Sequence, residues 1–379
     1  MRKKIIKYLP ALFVSLSILF LLFYLSIGNM SQFGGNASGE RLERIKNSSN
    51  YNGKKFRNSV KTESSWGILE TGSFVQEWIF GQGKRVPENE LPIKSLNRNI
   101  FSTKQDDGIK IIWLGHATVL IEIDGFILLT DPVWSDNPSF SSMVGARRFH
   151  KVPIELNELP KLDMVLISHD HYDHLDMETV MTLSQNGVMF IVPLGVGAHL
   201  EEWGIASSQI SEFDWYDSLK LGGENLTLTA TPARHASGRG LIYGSNPTLW
   251  CSWVIRSKTQ RLFFSGDTGD FEEFDEIGKR FGPFDYTLMT IGAYSDRWPD
   301  IHLTPEQAVS VHKRLGGKVL VPIHWGTFNL AFHDWYEPAE RFVKASELSN
   351  TSYLVPMPGE IISTNDSTKN SFWWREHVE

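Results

Sequence analysis

Residues 168–174 read Ser168-His169-Asp170-His171-Tyr172-Asp173-His174, directly after the apolar run Met164 to Ile167 and before a helix-like stretch. Three imidazoles and a ligating carboxylate thus fall within six residues, which restricts the fold to one that ends a strand at an open crevice. There the backbone is fixed while side chains point into free space. One ion cannot take all four groups at tetrahedral geometry, because Asp173 and His174 point away from His169 and His171. Two ions are the economical reading, and they need more ligands. His235 follows Leu226 to Pro232, Asp267 follows Leu262 to Gly266, and His324 follows Val319 to Ile323. Each stands just after a β-like run. Taken singly, a histidine there is more often a hydrogen-bonded structural residue, and Asp267 in Gly-Asp-Thr-Gly reads as a turn or helix cap. The joint pattern reverses that reading.

The rest of the body has strand-length β-branched runs. They cover Ile109 to Leu114, Thr118 to Ile123, Phe126 to Thr130, Met164 to Ser168 and Met189 to Pro193. Further runs follow at Leu226 to Thr231, Trp250 to Ile255, Arg261 to Ser265, Tyr286 to Thr290 and Lys318 to Ile323. Turn residues bound each of them. Helix-like stretches lie at Asp176 to Gln185, Phe271 to Phe281 and Thr304 to Leu315, the last opening with a Thr304 cap and Pro305 in its first turn. Asp124-Gly125 between two alternating runs predicts a tight hairpin. Strands first, then strands alternating with helices, predict two sheets packed face to face with helices outside.

Ahead of the body, Arg2, Lys3, Lys4 and Lys7 precede an apolar stretch from Leu9 to Ile27. Its length suffices to cross the hydrocarbon core. The basic flank (1–8) predicts an uncleaved single-pass anchor over 9–27, favoured over the rival cleaved signal peptide because the apolar run is long and no A-x-A-like site follows. The short N-terminus is then inside and the catalytic body exported from the cell membrane. Residues 28–65, rich in Ser, Asn, Gly and Lys, read as a flexible linker, and the folded domain is expected over 66–379.

Composition narrows the chemistry. The 379 residues hold 37 Lys+Arg against 44 Asp+Glu, a net charge of -7, so no broad basic field is available for nucleic acid. A single cysteine, Cys251, excludes thiolate-rich metal sites and internal disulfides. Any metal must be held by histidine and carboxylate, a donor set that suits zinc and also iron or manganese.

These residues resemble the metallo-β-lactamase superfamily, and more closely its N-acylphosphatidylethanolamine-hydrolysing phospholipase D branch. The likeness rests on Trp113-Leu114-Gly115-His116-Ala117-Thr118, Thr130-Asp131-Pro132, the 168–176 cluster and Gly266-Asp267-Thr268-Gly269. It continues in Ile291-Gly292-Ala293-Tyr294 with Arg297-Trp298, and in Ile323-His324-Trp325-Gly326-Thr327-Phe328. The match runs from about residue 66 to 360. It implies an αββα sandwich with two zinc ions, one held by His169, His171 and His235, the other by Asp173, His174 and His324, with Asp267 bridging. It also implies Tyr172 and His302 as substrate contacts, and Asp131 as a residue that orients a ligand. The expected anchor is a departure from this family.

Two close cations lower the pKa of a shared water, so hydroxide is available at neutral pH, and they neutralise phosphoryl oxygens as charge builds. Asp173 and Asp267 are the candidates to hold that hydroxide in line, and His302 to protonate the leaving alcohol. On the family likeness the substrate is N-acylphosphatidylethanolamine, cut to N-acylethanolamine and phosphatidic acid. A lactone or another phosphoester is the alternative substrate on the same metal set. An exported ligand-capture protein is disfavoured by the complete ligand set. Trp134, Phe140, Met143, Phe149, Trp298, Trp325 and Phe328 are candidates for an acyl groove, and Arg147, Arg148 and Arg239 for phosphate contacts. His116 reads as a structural or orienting residue, while His150, His199, His312, His333 and His377 have no such context.

Overall fold

The computed structural model describes residues 30–62, 76–78, 80–101, 107–141, 145–223, 225–239, 245–364 and 370–378. Among them thirteen strands form two sheets. The first contains β1 (Ile109–Gly115), β2 (Thr118–Ile123), β3 (Phe126–Thr130), β4 (Met164–Leu166), β5 (Met189–Pro193), β6 (Ile210–Phe213) and β13 (Ile361–Ser363). Their order is β13-β1-β2-β3-β4-β5-β6. The second contains β7 (Ser218–Leu221), β8 (Leu226–Thr231), β9 (Ser252–Ser257), β10 (Arg261–Phe264), β11 (Phe284–Thr290) and β12 (Gly317–Ile323). It runs β12-β11-β10-β9-β8-β7.

Alternation along β1 sends Ile109, Ile111 and Trp113 into the core between the sheets, and Ile112 and Leu114 into a second core on the outer face. Strands β1 to β5 of that sheet are buried on both faces almost throughout, which is why they read as largely apolar runs. Helices α1 (Gly39–Asn47), α2 (Met177–Ser184), α3 (Gly197–Glu202), α4 (Glu273–Phe281), α5 (Pro305–Arg314) and α6 (Glu337–Leu348) complete the chain order. Val180, Leu183 and Leu200 from α2 and α3 cap the first sheet, while Phe274, Ile277, Ala308, Val311 and Phe342 from α4 to α6 cap the second. Trp113, Trp253, Phe263, Phe264, Phe274 and Phe284 are fully buried; removing side chains of this size from water contributes about 2–3 kcal/mol each.

Two local readings hold. Asp124 and Gly125 both have positive φ, 44° and 80°, between the paired Ile123 and Phe126, as a tight turn matched to strand twist requires. Thr304 and Gln307 form a reciprocal capping box at the start of α5, with Pro305 in the first turn.

Two expectations at the front of the chain need correction. Among the described residues no helix is long and apolar enough to cross a membrane. The longest, α6, has 12 residues, or about 18 Å against the roughly 30 Å of a hydrocarbon core. The single-pass anchor preceding the sandwich, the exported placement of the body and its membrane partnership are therefore withdrawn. The 1–8 and 9–27 segments themselves lie outside the described residues. The linker over 28–65 also differs from the structure: residues 30–62 are folded onto the body. Ile45 of α1 and Phe56 are buried in a small core with Leu194, Leu249 and Trp250. Arg41 pairs with buried Glu212 and, at 2.9 Å, with Glu201. Polar composition concealed an amphipathic helix that contributes one apolar side chain and its charges.

Candidate metal centre

The seven candidate ligands leave the ends of strands. β4 runs into the 169–174 loop, β8 into the turn carrying His235, β10 into Asp267 and β12 into His324. Asp131 follows β3, His116 lies in the β1–β2 turn, and His302 lies between β11 and α5. The backbone is forced into unusual shapes here. His116, Asp131, Ala293 and His324 adopt positive φ of 53°, 36°, 59° and 65°, a conformation that costs non-glycine residues roughly 1–2 kcal/mol and gathers at functional sites. Gly266 (φ +54°) admits no side chain, because a Cβ would stand 2.6 Å from the Ser168 Cβ. That close approach is what brings Asp267 against the 169–174 loop.

The imidazoles are oriented from behind. Asp131 accepts from Ser168 N (2.7 Å), Ser168 Oγ (2.6 Å) and His174 Nδ1 (2.7 Å). His169 Nδ1 in turn donates to Ser168 Oγ (2.9 Å), and His235 Nδ1 donates to the Ile301 carbonyl (2.9 Å). Each proton is thus committed outward, so Nε2 of His169, His174 and His235 presents a lone pair inward.

Those lone pairs converge. His171 Nδ1 lies 2.9 Å from His169 Nε2 and 3.3 Å from His235 Nε2. In a second group, His174 Nε2 is 3.2 Å from His324 Nε2 and 3.4 Å from Asp173 Oδ2, which is 3.7 Å from His324 Nε2. Donors placed tetrahedrally about one ion at roughly 2.0–2.1 Å stand about 3.3 Å apart, so both triads have the spacing of a coordination shell. Asp267 faces both: its Oδ2 is 3.2 Å from His174 Nε2 and 3.9 Å from His235 Nε2, and its Oδ1 is 3.1 Å from His324 Nε2.

Electrostatics agree with cation binding. Burial holds His169 and His235 well below the ordinary imidazole range, keeping them neutral ligands. At His174 and His324 burial acts in the same direction, but the charge of Asp267, with Asp173, outweighs it and raises both. Positive charge is stabilised at that point. The residues present therefore fit divalent metal ions.

The seven candidate ligands meet in one crevice, and Asp131 stands behind His174. His302, with 12% side-chain exposure, places Nδ1 3.8 Å from Asp267 Oδ2 at the rim. Tyr172 borders a cavity of about 460 Å³; its hydroxyl donates to the Arg239 carbonyl and its ring lies 4.2 Å under the Arg239 guanidinium. Arg239 itself is buried and donates to the carbonyls of Asp170, Leu175 and Gln32, so it is a clamp rather than a phosphate contact. Arg148 is likewise spent on the Val133 carbonyl and the Phe328 ring, whereas Arg147 is exposed on the cavity wall. Of the proposed groove residues, Phe140 lines that cavity. Phe328 and Trp325 border a much smaller space beside His116 and His324. Trp134, Phe149 and Trp298 are packing residues, and Met143 lies outside the described residues.

Other contributors had little or no signal in the sequence. Neutral His116, brought down to about 3 by burial, donates Nε2–H to Asp173 at 2.8 Å and so orients a ligand. Asp170, inside the motif, accepts from Gly238 N (2.7 Å) and Thr248 Oγ1 (2.9 Å) and faces His199 Nε2 at 3.2 Å, which ties the His235 loop to the 169–174 loop. Asn58 bonds both the N–H and the carbonyl of His235 (3.0 and 2.8 Å) from a segment without periodicity.

The sequence profile of the beta-lactamase superfamily domain matches residues 127–325. An uncharacterized protein of Mycobacterium tuberculosis is 48% identical over 288 residues, covering 75% of this chain and 76% of its own. The N-acyl-phosphatidylethanolamine-hydrolyzing phospholipase D 1 of Caenorhabditis elegans is 34% identical over 338 residues, covering 83% and 94%. Among solved structures, a metallo hydrolase from the archaeon Ignicoccus hospitalis superposes with a TM-score of 0.52 at 23% identity, over 69% of this chain and all of that one. With the paired strand-end triads and this breadth of match, the chain belongs to the metallo-β-lactamase superfamily as a metal-dependent hydrolase.

Proposed function

We propose that the chain is a dinuclear zinc phosphodiesterase that cleaves N-acylphosphatidylethanolamine to N-acylethanolamine and phosphatidic acid. The observation that carries this reading is Asp267, whose two oxygens reach toward both triads at 3.1–3.9 Å. A single carboxylate between two three-donor sets suits a pair of ions rather than one. The substrate class is supported by the extent of similarity to the nematode phospholipase D. Zinc is favoured by nitrogen and oxygen donors at tetrahedral spacing.

His169, His171 and His235 would hold one ion, and Asp173, His174 and His324 the other. Bound there, the pair supplies Lewis acidity toward phosphoryl oxygens and lowers the pKa of water. The chain does the rest. Asp173 and Asp267 accept hydrogen bonds from the attacking water and keep it in line with phosphorus. His116 fixes Asp173, and Asp131 fixes His174. His302 is brought to about 4 by burial, against the pull of Asp267, so at neutral pH it is a neutral ring that can donate one N–H hydrogen bond to the departing alcohol oxygen without giving up its proton. The proton that oxygen takes up comes from the attacking water. Tyr172 forms the face past which the rest of the substrate leaves the centre.

The test is mass spectrometry of lipid products from the full chain, with metal measured on the same sample. Phosphatidic acid and N-acylethanolamine in equal amounts, absent with His174→Ala, are expected. Lactone opening without phosphatidic acid release would overturn the substrate assignment, and full activity after stringent chelation would overturn the metal chemistry.

A further inference from the structure

The cavity of about 460 Å³ beside Tyr172 falls in the size range of ligand sites. One wall comes from far outside the family match. Ser31–Phe33 form a short 3-10 turn that lies across the cavity as a strap, with Gln32 in its lining. Three contacts pin it. Trp203 Nε1 donates to the Ser31 carbonyl (2.6 Å), Arg239 Nε donates to the Gln32 carbonyl (2.9 Å), and the Phe33 ring stacks on Phe140 at 6.0 Å and 22°. Behind the turn, Gly34 and Gly35 run so close to His199 and Ala198 that no side chain fits. The guanidinium that grips Gln32 is the one that stacks on Tyr172, so strap and centre are held in one register.

We propose that Gln32, backed by the Phe33–Phe140 stack, forms a selectivity wall, and that this cavity takes the amide-bearing arm of the substrate, the part released as N-acylethanolamine. The proposal rests on the phosphodiesterase reading above. The lining mixes the amide of Gln32, the hydroxyl of Ser139 and the charged Asp136, Glu178 and Arg147 with Phe140, Leu175 and Met177. Such a lining suits a group that both donates and accepts hydrogen bonds and carries an apolar extension. A diacylglycerol arm, with two long chains and no amide, matches neither the polar groups nor the single cavity.

The experiment uses the full metal-loaded chain with Gln32→Trp, which fills the cavity, and Gln32→Ala, which removes the amide without adding bulk. Calorimetry reads N-acylethanolamine binding directly. Kinetics read the ratio of kcat/KM for N-acylphosphatidylethanolamine to that for bis(4-nitrophenyl) phosphate, a diester with no amide arm. Gln32→Trp should weaken N-acylethanolamine binding about tenfold and lower the ratio by a similar factor, chiefly through KM. Gln32→Ala should shift both in the same direction by less. Unchanged affinity in both variants, no binding to the wild-type chain, or a proportional fall with both diesters would overturn the proposal. If the wild-type chain hydrolyses neither diester, the phosphodiesterase reading fails, while the calorimetric arm, which needs no turnover, still decides on the wall.

Discussion

Behind His174 stands Asp131, a fully buried carboxylate whose three donors leave it no freedom to turn. Asp131→Asn keeps the shape and removes the charge that holds the imidazole proton outward. Loss of such a supporting group commonly weakens metal binding about 10–100-fold, and metal titration against a competing chelator should report that range. Asp170→Ala acts differently, because it strips partners from Gly238 N and Thr248 Oγ1 in a site with no access to water. Urea denaturation of the metal-free protein should show a loss of about 3 kcal/mol. The convergence of the candidate ligands was legible because six residues of contiguous chain and three strand ends announce it. Asp170 was not, and for His116 an orienting role could be read but not its partner. Their roles come from partners 57–78 residues away, which no local spacing encodes.

Strands buried on both faces could be read from largely apolar runs in β1 to β5, and from the alternation of Leu226, Leu228 and Ala230 with threonines in β8. The missed strands β6, β7 and β13 are three or four residues long, and β7 and β13 have exposed positions. Helix α6 was also missed: Tyr336 precedes it with no side-chain cap, although Pro338 and the acidic Glu337 and Glu340 in its first turn were a start signal. The hairpin between β2 and β3 was readable because Asp124-Gly125 suits positive φ at both turn positions. Asp124 also accepts from Gly108 N (2.8 Å) and from Thr259 N and Oγ1 (3.0 and 2.7 Å). Burial works to raise its pKa, but these bonds outweigh it and hold the carboxyl below its usual range. A depressed carboxylate stabilises the fold fully above its unfolded pKa of about 4 and loses that contribution as pH falls through the folded value. Asp124→Ala should therefore lower Tm at neutral pH, and the gap to wild type should narrow below about pH 4 in a thermal-melt series.

For the molecule as a whole, acid stability depends on histidines that the fold keeps neutral. Burial, with Arg148 nearby, brings His150 to about 3, and burial, with Lys313, brings His312 to about 4. Unfolding returns each to about 6.5 and takes up a proton. Their contribution is complete above about pH 6.5 and is lost as pH falls toward 3–4. In the metal-free protein, the slope of unfolding free energy against pH between about 6.5 and 4 should flatten in the double variant His150→Gln/His312→Gln. The change approaches two protons, at about 1.4 kcal/mol per pH unit for each; denaturant titrations at stepped pH measure it. The two-sheet architecture followed from the order of runs along the chain, but the attachment of residues 30–62 did not. Asn58 clasps His235 by both backbone groups across 177 positions of sequence. Excising the body at the edges of the profile match, 127–325, would leave that candidate ligand loop unbraced, whereas transplanting the leading stretch between relatives would carry one brace of the candidate metal cage along with it.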